Sequence, residues 1–349
     1  MAVYRIVRDK VVSEADFQAH GQDIAESLGG LDAETETKTP FNPIGFGLPL
    51  TVMIRHVYTG CFPESGFFSG GDGDVAVVSG VKDFDVFAAS ARALNLIAKN
   101  QKAGAHLHGP SAFSEGTTLV TYSPAVLAKS ITLTVELAVA TFPAAFVASV
   151  ASAFSSLAGL PILMPYAGYL LGAGQLVKIG GDLGHSLLDK PVFSVTEPLN
   201  FNLPGAEPAR ADFRVLSKGL LQADRYDYVD GKGLIDRASR RPYDGAEPYI
   251  VISLDGAADK RLEKFAPTVA SAEILQRFFQ MKDNQQAVIE SFVEGMRLVS
   301  DLKYRDQAVG LQAEIAAAEE GSPERKELEK RLVAVAKNIS NLTLKPPGK

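Results

Sequence analysis

The sequence predicts an α+β protein: an antiparallel, β-sandwich-like body interrupted by a buried apolar helical hairpin, with a C-terminal helical region ending in an antiparallel helical hairpin. Three observations predict it. Short runs that alternate apolar and polar residues, bounded by turn formers, recur from residue 50 to 254. No Asp, Glu, Lys, Arg or His occurs from Leu137 to Val177. Beyond residue 257 the apolar positions repeat at three and four, the helical period.

Residues 1–49 read as a strand, a helix and a linker arm. Residues 2–7 suit a short strand, and Ser13 with Asp16 three residues on opens a helix that Gly29 and Gly30 end. Leu31 to Pro49 has no apolar period and is rich in Thr, Glu, Gly and Pro, as a surface-draped linker would be. Residues 50–256 form the β-rich body. In Leu50–Tyr58 the alternation sets Val52, Ile54, His56 and Tyr58 on one face and Thr51, Met53, Arg55 and Val57 on the other. Further strands are expected at Val75–Val81, Arg92–Ala98, Thr118–Tyr122, Ile131–Val139, Phe193–Phe201, Phe213–Leu216, Tyr226–Val229 and Tyr249–Leu254. Asp230-Gly231-Lys232-Gly233 has the composition of a tight hairpin turn, because Asp-Gly tolerates paired positive φ values.

Within the body the charge-free stretch predicts the helical hairpin at 143–180. Pro143 suits a first helical turn, and Phe146, Val150, Phe154 and Leu157 share one face. Pro161 and Pro165 break the chain before a second apolar helix containing Gly168-x-x-x-Gly172, a spacing that lets two backbones approach closely. Residues 257–349 are the helical region. Tyr304, Ala308, Leu311, Ile315 and Ala318 form one stripe, and Leu328, Leu332, Val335, Ile339 and Leu342 another. Gly321-Ser322-Pro323 separates them as an N-cap followed by a first-turn proline.

Composition limits the function classes. Of 349 residues 46% are hydrophobic and 22% charged, so the chain can bury a sizeable core. A net charge of −6 with no basic cluster argues against nucleic acid as a partner. A single cysteine, Cys61, permits no intrachain disulfide, and Met1 to Lys10 lacks the apolar core of a secretory signal; a cytoplasmic protein is expected. There is no phosphate-binding Gly-x-x-x-x-Gly-Lys loop, no His-Glu-x-x-His helix and no Gly-x-Gly-x-x-Gly turn.

Three groups of residues are candidates for chemistry. Cys61 follows a strand, and His106 and His108 sit in a small-residue loop; together they could supply a thiolate and its base for a cysteine hydrolase. Asp72, Asp74, Asp83 and Asp85 flank one strand and carry oxygen ligands suited to calcium, an arrangement that resembles the loops of C2-type sandwiches. Gly184-His185-Ser186 resembles the start of the nucleophile elbow of α/β-hydrolases, but Leu188 stands where the elbow needs a small residue. None of these outweighs the reading of a noncatalytic interaction or assembly protein. Its partner, or a second copy, is expected to dock through 304–342. The rival from another class is a membrane-perturbing or membrane-binding effector that uses the charge-free 137–177 segment. No cofactor other than calcium is implied.

Overall fold

In a computed structural model the described residues are 2–7, 9–19, 41–62, 72–83, 91–109, 114–116, 118–140, 192–259 and 285–346. The expected apolar hairpin at 143–180, Gly184-His185-Ser186 and Asp85 lie outside them. Fourteen strands are described: β1 (Ala2–Val7), β2 (Lys10–Ser13), β3 (Leu50–Tyr58), β4 (Gly73–Asp83), β5 (Ala91–Gln101), β6 (His106–Leu107), β7 (Ser114–Gly116), β8 (Leu119–Ser123), β9 (Ser130–Ala140), β10 (Phe193–Asn200), β11 (Asp212–Ser217), β12 (Tyr226–Val229), β13 (Gly233–Asp236) and β14 (Tyr249–Asp255). Helical residues are α1 (14–19), α2 (Gln285–Ala317) and α3 (Pro323–Asn338). The architecture is thus mostly antiparallel sheet with a C-terminal helical pair.

Two sheets share one core. The larger runs β13-β12-β2-β1-β11-β14-β3-β6, with β8 also on β3; the smaller runs β10-β9-β4-β5-β7. Leu50, Val52, Ile54, Leu216, Ile250, Ile252 and Leu254 of the first meet Val75, Val77, Leu133, Val135, Leu137, Val195 and Leu199 of the second in one buried aliphatic cluster. β1 sits between β2 and β11 inside the large sheet, and Ser13 caps α1 by accepting the Asp16 amide at 3.1 Å.

The outer face of the large sheet has a core of its own. β13 curls back towards β3, so this part of the sheet nearly closes. Inside the curl lie Tyr4, Tyr58, Tyr226, Tyr228, Tyr243 and Tyr249 with Ile6, Val11, Val215 and Val251. The β12–β13 hairpin turns where the sequence predicts, but without paired positive φ values: of Asp230-Gly231 only Gly231 is positive, at φ 77°, and the Lys232 amide donates to the Val229 carbonyl at 2.9 Å. β3 departs from the simple alternation. Against β14 its register slips, Val251 facing His56 while Ile252 faces Ile54, which leaves Arg55 as a bulge residue. Leu50, Val52 and Ile54 therefore point into the sandwich, whereas after the bulge Val57 does, and His56 and Tyr58 turn to the tyrosine-lined side.

A buried ionic cluster bridges the sheets at one end. Arg5 and Arg214 are direct cross-strand partners in β1 and β11, an arrangement of like charges that is unfavourable unless carboxylates surround it. Glu14, Asp212 and Glu197 do so. Arg5 binds Glu14 through two bonds of 2.7 and 2.8 Å and Asp212 at 3.2 Å, while Arg214 binds Asp212 at 2.9 Å and Glu197 from the opposite sheet. Burial pushes the Glu197 and Asp212 carboxyls above their ordinary range, with the arginines pulling them back.

The helical pair closes on itself. Tyr304, Ala308, Leu311 and Ile315 of α2 pack against Leu328 and Val335 of α3 and Ile339 just after it. Ser322 caps α3 by accepting the Arg325 amide at 3.1 Å, with Pro323 in the first turn. Two polar anchors fix the pair. Asn338 donates to the Ala125 carbonyl of the body at 2.8 Å, and buried Asp301 accepts from the Ser340 amide, the Ser340 hydroxyl and the Asn341 amide at 2.8–2.9 Å.

Candidate functional site

Three histidines meet at the mouth of the tyrosine-lined core. His56 comes from β3, where the Arg55 bulge has turned it away from the sandwich, and it is wholly buried. His106 lies in β6, paired with Tyr58 of β3, and His108 follows one residue beyond that strand, exposed at the surface. His56 Nδ1 stands 3.0 Å from His108 Nδ1, and its Nε2 stands 2.9 Å from His106 Nδ1. His106 Nε2 lies 3.1 Å from the Tyr243 carbonyl. The result is an unbranched chain of hydrogen bonds from solvent to a backbone oxygen.

That carbonyl fixes the direction of the neutral chain. A carbonyl only accepts, so His106 Nε2 carries the hydrogen and His106 Nδ1 is the acceptor. His56 then donates from Nε2 and accepts at Nδ1, where His108 Nδ1–H donates. Only His108 Nε2 is left as a base, on the exposed residue. A proton arriving there can shift inward, but the chain ends on a carbonyl and delivers it to no reacting group. Burial, reinforced by His108 and His106, pushes the His56 imidazole down to about 3 against a weak opposing pull from Asp230. Burial also lowers His106, with the Tyr243 carbonyl opposing.

The surroundings are aromatic and tight. The Tyr249 ring stacks on His56 at 5.6 Å and 15°. Gly233 of β13 presses on both: a Cβ there would stand 2.6 Å from Tyr249 Oη and 2.7 Å from His56 Cε1, and its φ of 83° also favours glycine. The Leu234 amide donates to Tyr249 Oη at 2.9 Å, and Arg55 pairs with Asp230 in the β12–β13 turn. Tyr58 donates to the Gly245 carbonyl and Tyr228 to Asp230, both at 2.8 Å. Burial raises the Tyr58 and Tyr243 hydroxyls to about 12, so they act as donors rather than bases near neutrality.

Three imidazoles together suggest a metal, but their geometry does not suit one. His56 directs its two nitrogens in opposite directions, so no point lies within a bond length of all three histidines. Among the described residues no group of three His, Cys, Asp or Glu is arranged to hold an ion.

The residues singled out by the sequence are distributed differently. His106 and His108 do come together, but through His56. Cys61 is exposed, its amide donates to the Ala246 carbonyl at 2.9 Å, and among the described residues no hydrogen bond joins its thiol to either histidine. Of the four aspartates expected to share calcium, the three among the described residues do not gather. Asp72 and Asp74 stand at one end of β4 and Asp83 at the other, about 30 Å apart by the rise of a strand. Asp74 is buried and accepts the Asn100 amide at 2.9 Å. His56 was the residue that alternation alone misplaced. Its signal was a histidine in a mostly apolar strand, two residues from a tyrosine.

The stripe within 304–342 expected to bind a partner is instead occupied within the chain, as the α2–α3 seam. A different face of α2 is open. Leu298, Leu302 and Val309 are 47%, 40% and 55% exposed, lying about 120° round the helix from the seam, and exposed Ala313 and Ala316 extend the line. Among the described residues no helix is long and apolar enough to cross a membrane. No family model, curated protein or solved structure matches the chain.

Proposed function

We propose that this is a noncatalytic assembly protein that pairs with a second copy of itself through the exposed apolar line of α2. The observation that carries the reading is the self-complementarity of that line. If two α2 helices cross antiparallel between Arg305 and Asp306, Leu302 of one copy meets Val309 of the other, Leu298 meets Ala313, and exposed Arg305 meets exposed Asp306. Every apolar residue then covers an uncharged one, and the central charges are opposite. The contact is isologous, so it closes at a dimer rather than growing into a filament. One helix pair buries less than a standard interface, which places the dimer in the micromolar range, on the order of 1–100 µM. The seam to α3 and the Asp301 and Asn338 anchors hold the face rigid, reducing the ordering cost of association.

The test is light scattering on the full chain at high micromolar concentration. A dimer is expected, with Leu302→Lys/Val309→Lys monomeric and equally folded. A monomeric parent chain, or a double variant that still dimerises, overturns the reading.

A second reading is favoured by one connection. The charge-free stretch begins inside β9 and ends at Val177, and the chain rejoins the sheet beside its point of departure, since Phe193 faces Leu137 and the Val192 amide donates to the Leu137 carbonyl at 2.6 Å. A long stretch without charge, entered and left at adjacent strand ends, suits a membrane-binding effector. Cosedimentation with anionic liposomes, lost on deleting residues 143–180, is the result that reading requires.

A further inference from the structure

The large sheet nearly closes at one seam, where β13 approaches β3, and the histidine chain stands on that seam. We propose that His108–His56–His106 is an acid-operated latch: neutral, it holds the β12–β13 hairpin against β3, and protonation of His56 releases it.

The argument starts from a count of hydrogens. In the neutral chain each internal nitrogen has one partner, and each contact holds one hydrogen. The first extra proton fits without rearrangement, because His108 Nε2 is on the exposed residue. A second does not. If His56 becomes a cation beside another protonated histidine, two positive rings sit with nitrogens about 3 Å apart, and the His56 ring is shut off from water.

The groups facing His56 offer little relief. From β6 and the residue after its neighbour come His106 and His108, both of the wrong sign once charged. From β14 comes Tyr249, whose hydroxyl already accepts the Leu234 amide. From the β12–β13 turn comes Asp230, the one carboxylate with a resolved influence, which is already engaged by Arg55 and Tyr228. β13 itself presents Gly233, whose backbone lies directly against the ring, so that movement of the ring in that direction displaces β13. The escape that remains is outward, past Gly233, and this parts β13 from β3. The chain cannot serve as a catalytic relay, since its inner end is a carbonyl, so a stored charge does mechanical work instead.

The sign follows from the direction of the shift. The closed seam favours neutral His56, so its stability is complete above the ordinary imidazole value of 6.5 and is lost as pH falls from there towards about 3. Within that window His56 takes up one proton per opening, so the opening constant rises by at least about tenfold per pH unit, more where His106 is freed with it. Carboxylates with ordinary values enter only below about pH 4.5, and the raised Glu197 and Asp212 belong to the ionic cluster between the sheets rather than to the seam.

The experiment is amide hydrogen exchange from pH 7 to 5 on the full chain, corrected for intrinsic rates, with the Leu234 amide reporting the seam and β4–β9 amides as the internal reference. Opening at Leu234 is expected to rise at least about tenfold per pH unit below pH 6.5 relative to β4–β9, and this slope is expected to vanish in His56→Gln. Absence of the slope in the parent chain, or its persistence in His56→Gln, overturns the latch. Should that variant not fold, the parent chain decides alone. Imidazole NMR is expected to show His56 neutral wherever the seam is closed, and a His56 that titrates near 6.5 with the seam intact overturns the proposal. Thermal stabilisation of the parent chain by zinc, absent in His56→Gln, would do so as well, by marking the cluster as a metal site.

Discussion

The two faces of the large sheet are built from different chemistry, although the same strands make both. Facing the small sheet, Val52, Ile54, Leu216, Ile250 and Ile252 pack with Val75, Leu133, Val135 and Leu137 and carry no side-chain hydrogen bonds between them. Facing the curl, tyrosines dominate and are tied by their hydroxyls: Tyr4 to the Leu221 backbone, Tyr58 to Gly245, Tyr228 to Asp230 and Tyr249 to Leu234. The first core depends on area and fit, and the second on directional bonds with titrating groups among them. The difference teaches where sensitivity to conditions can reside. An aliphatic core responds to volume and ignores pH, while a core of phenols and imidazoles around a seam can register a proton.

The ionic cluster is the exception within the aliphatic core, and it gives the largest expected effect. Arg214→Met leaves Glu197 and Asp212 buried with one cation fewer, at a cost of roughly 3–5 kcal/mol in urea unfolding. The paired change Arg214→Met/Glu197→Leu is expected to recover most of it; no recovery would mean that the cluster holds the sheets in register rather than merely neutralising itself. Leu133→Ala, a cavity in the aliphatic core, is expected to cost about 2–5 kcal/mol by the same unfolding measurement, equally at pH 7 and pH 5.5. A pH-dependent cost there would erase the contrast between the two faces. Tyr228→Phe removes one buried hydroxyl bond and is expected to cost about 0.5–1.5 kcal/mol, with the loss confined to exchange protection in β12 and β13.

Much of the fold was legible because local chemistry decides it. The alternation of Ile131–Val139, the Asp230-Gly231 turn and the Ser322-Pro323 cap each rest on a few neighbouring residues whose sterics leave one option. What was not legible depends on partners distant in sequence. β1 pairs with β11 some 210 residues away, and its residues carry no mark of that choice. The bulge at Arg55 arises from the register against β14, so the face presented by His56 could not be read from β3 alone. Consequently the sequence offered His106 and His108 as possible partners of Cys61, whereas the residue that stands between them is a buried histidine from another strand. The C-terminal stripe was read correctly as a pairing surface; the pairing is internal, and the outward line on α2 emerged only once the inward one was filled.

The central functional claim, antiparallel pairing of α2 across Arg305 and Asp306, is tested most directly by charge exchange read in sedimentation velocity. Arg305→Asp places like charges at the centre of the dimer and is expected to weaken it at least about tenfold, as is Asp306→Arg, while the double exchange Arg305→Asp/Asp306→Arg restores the parent association. Three variants that sediment alike, or a double exchange that stays as weak as either single change, would contradict the account.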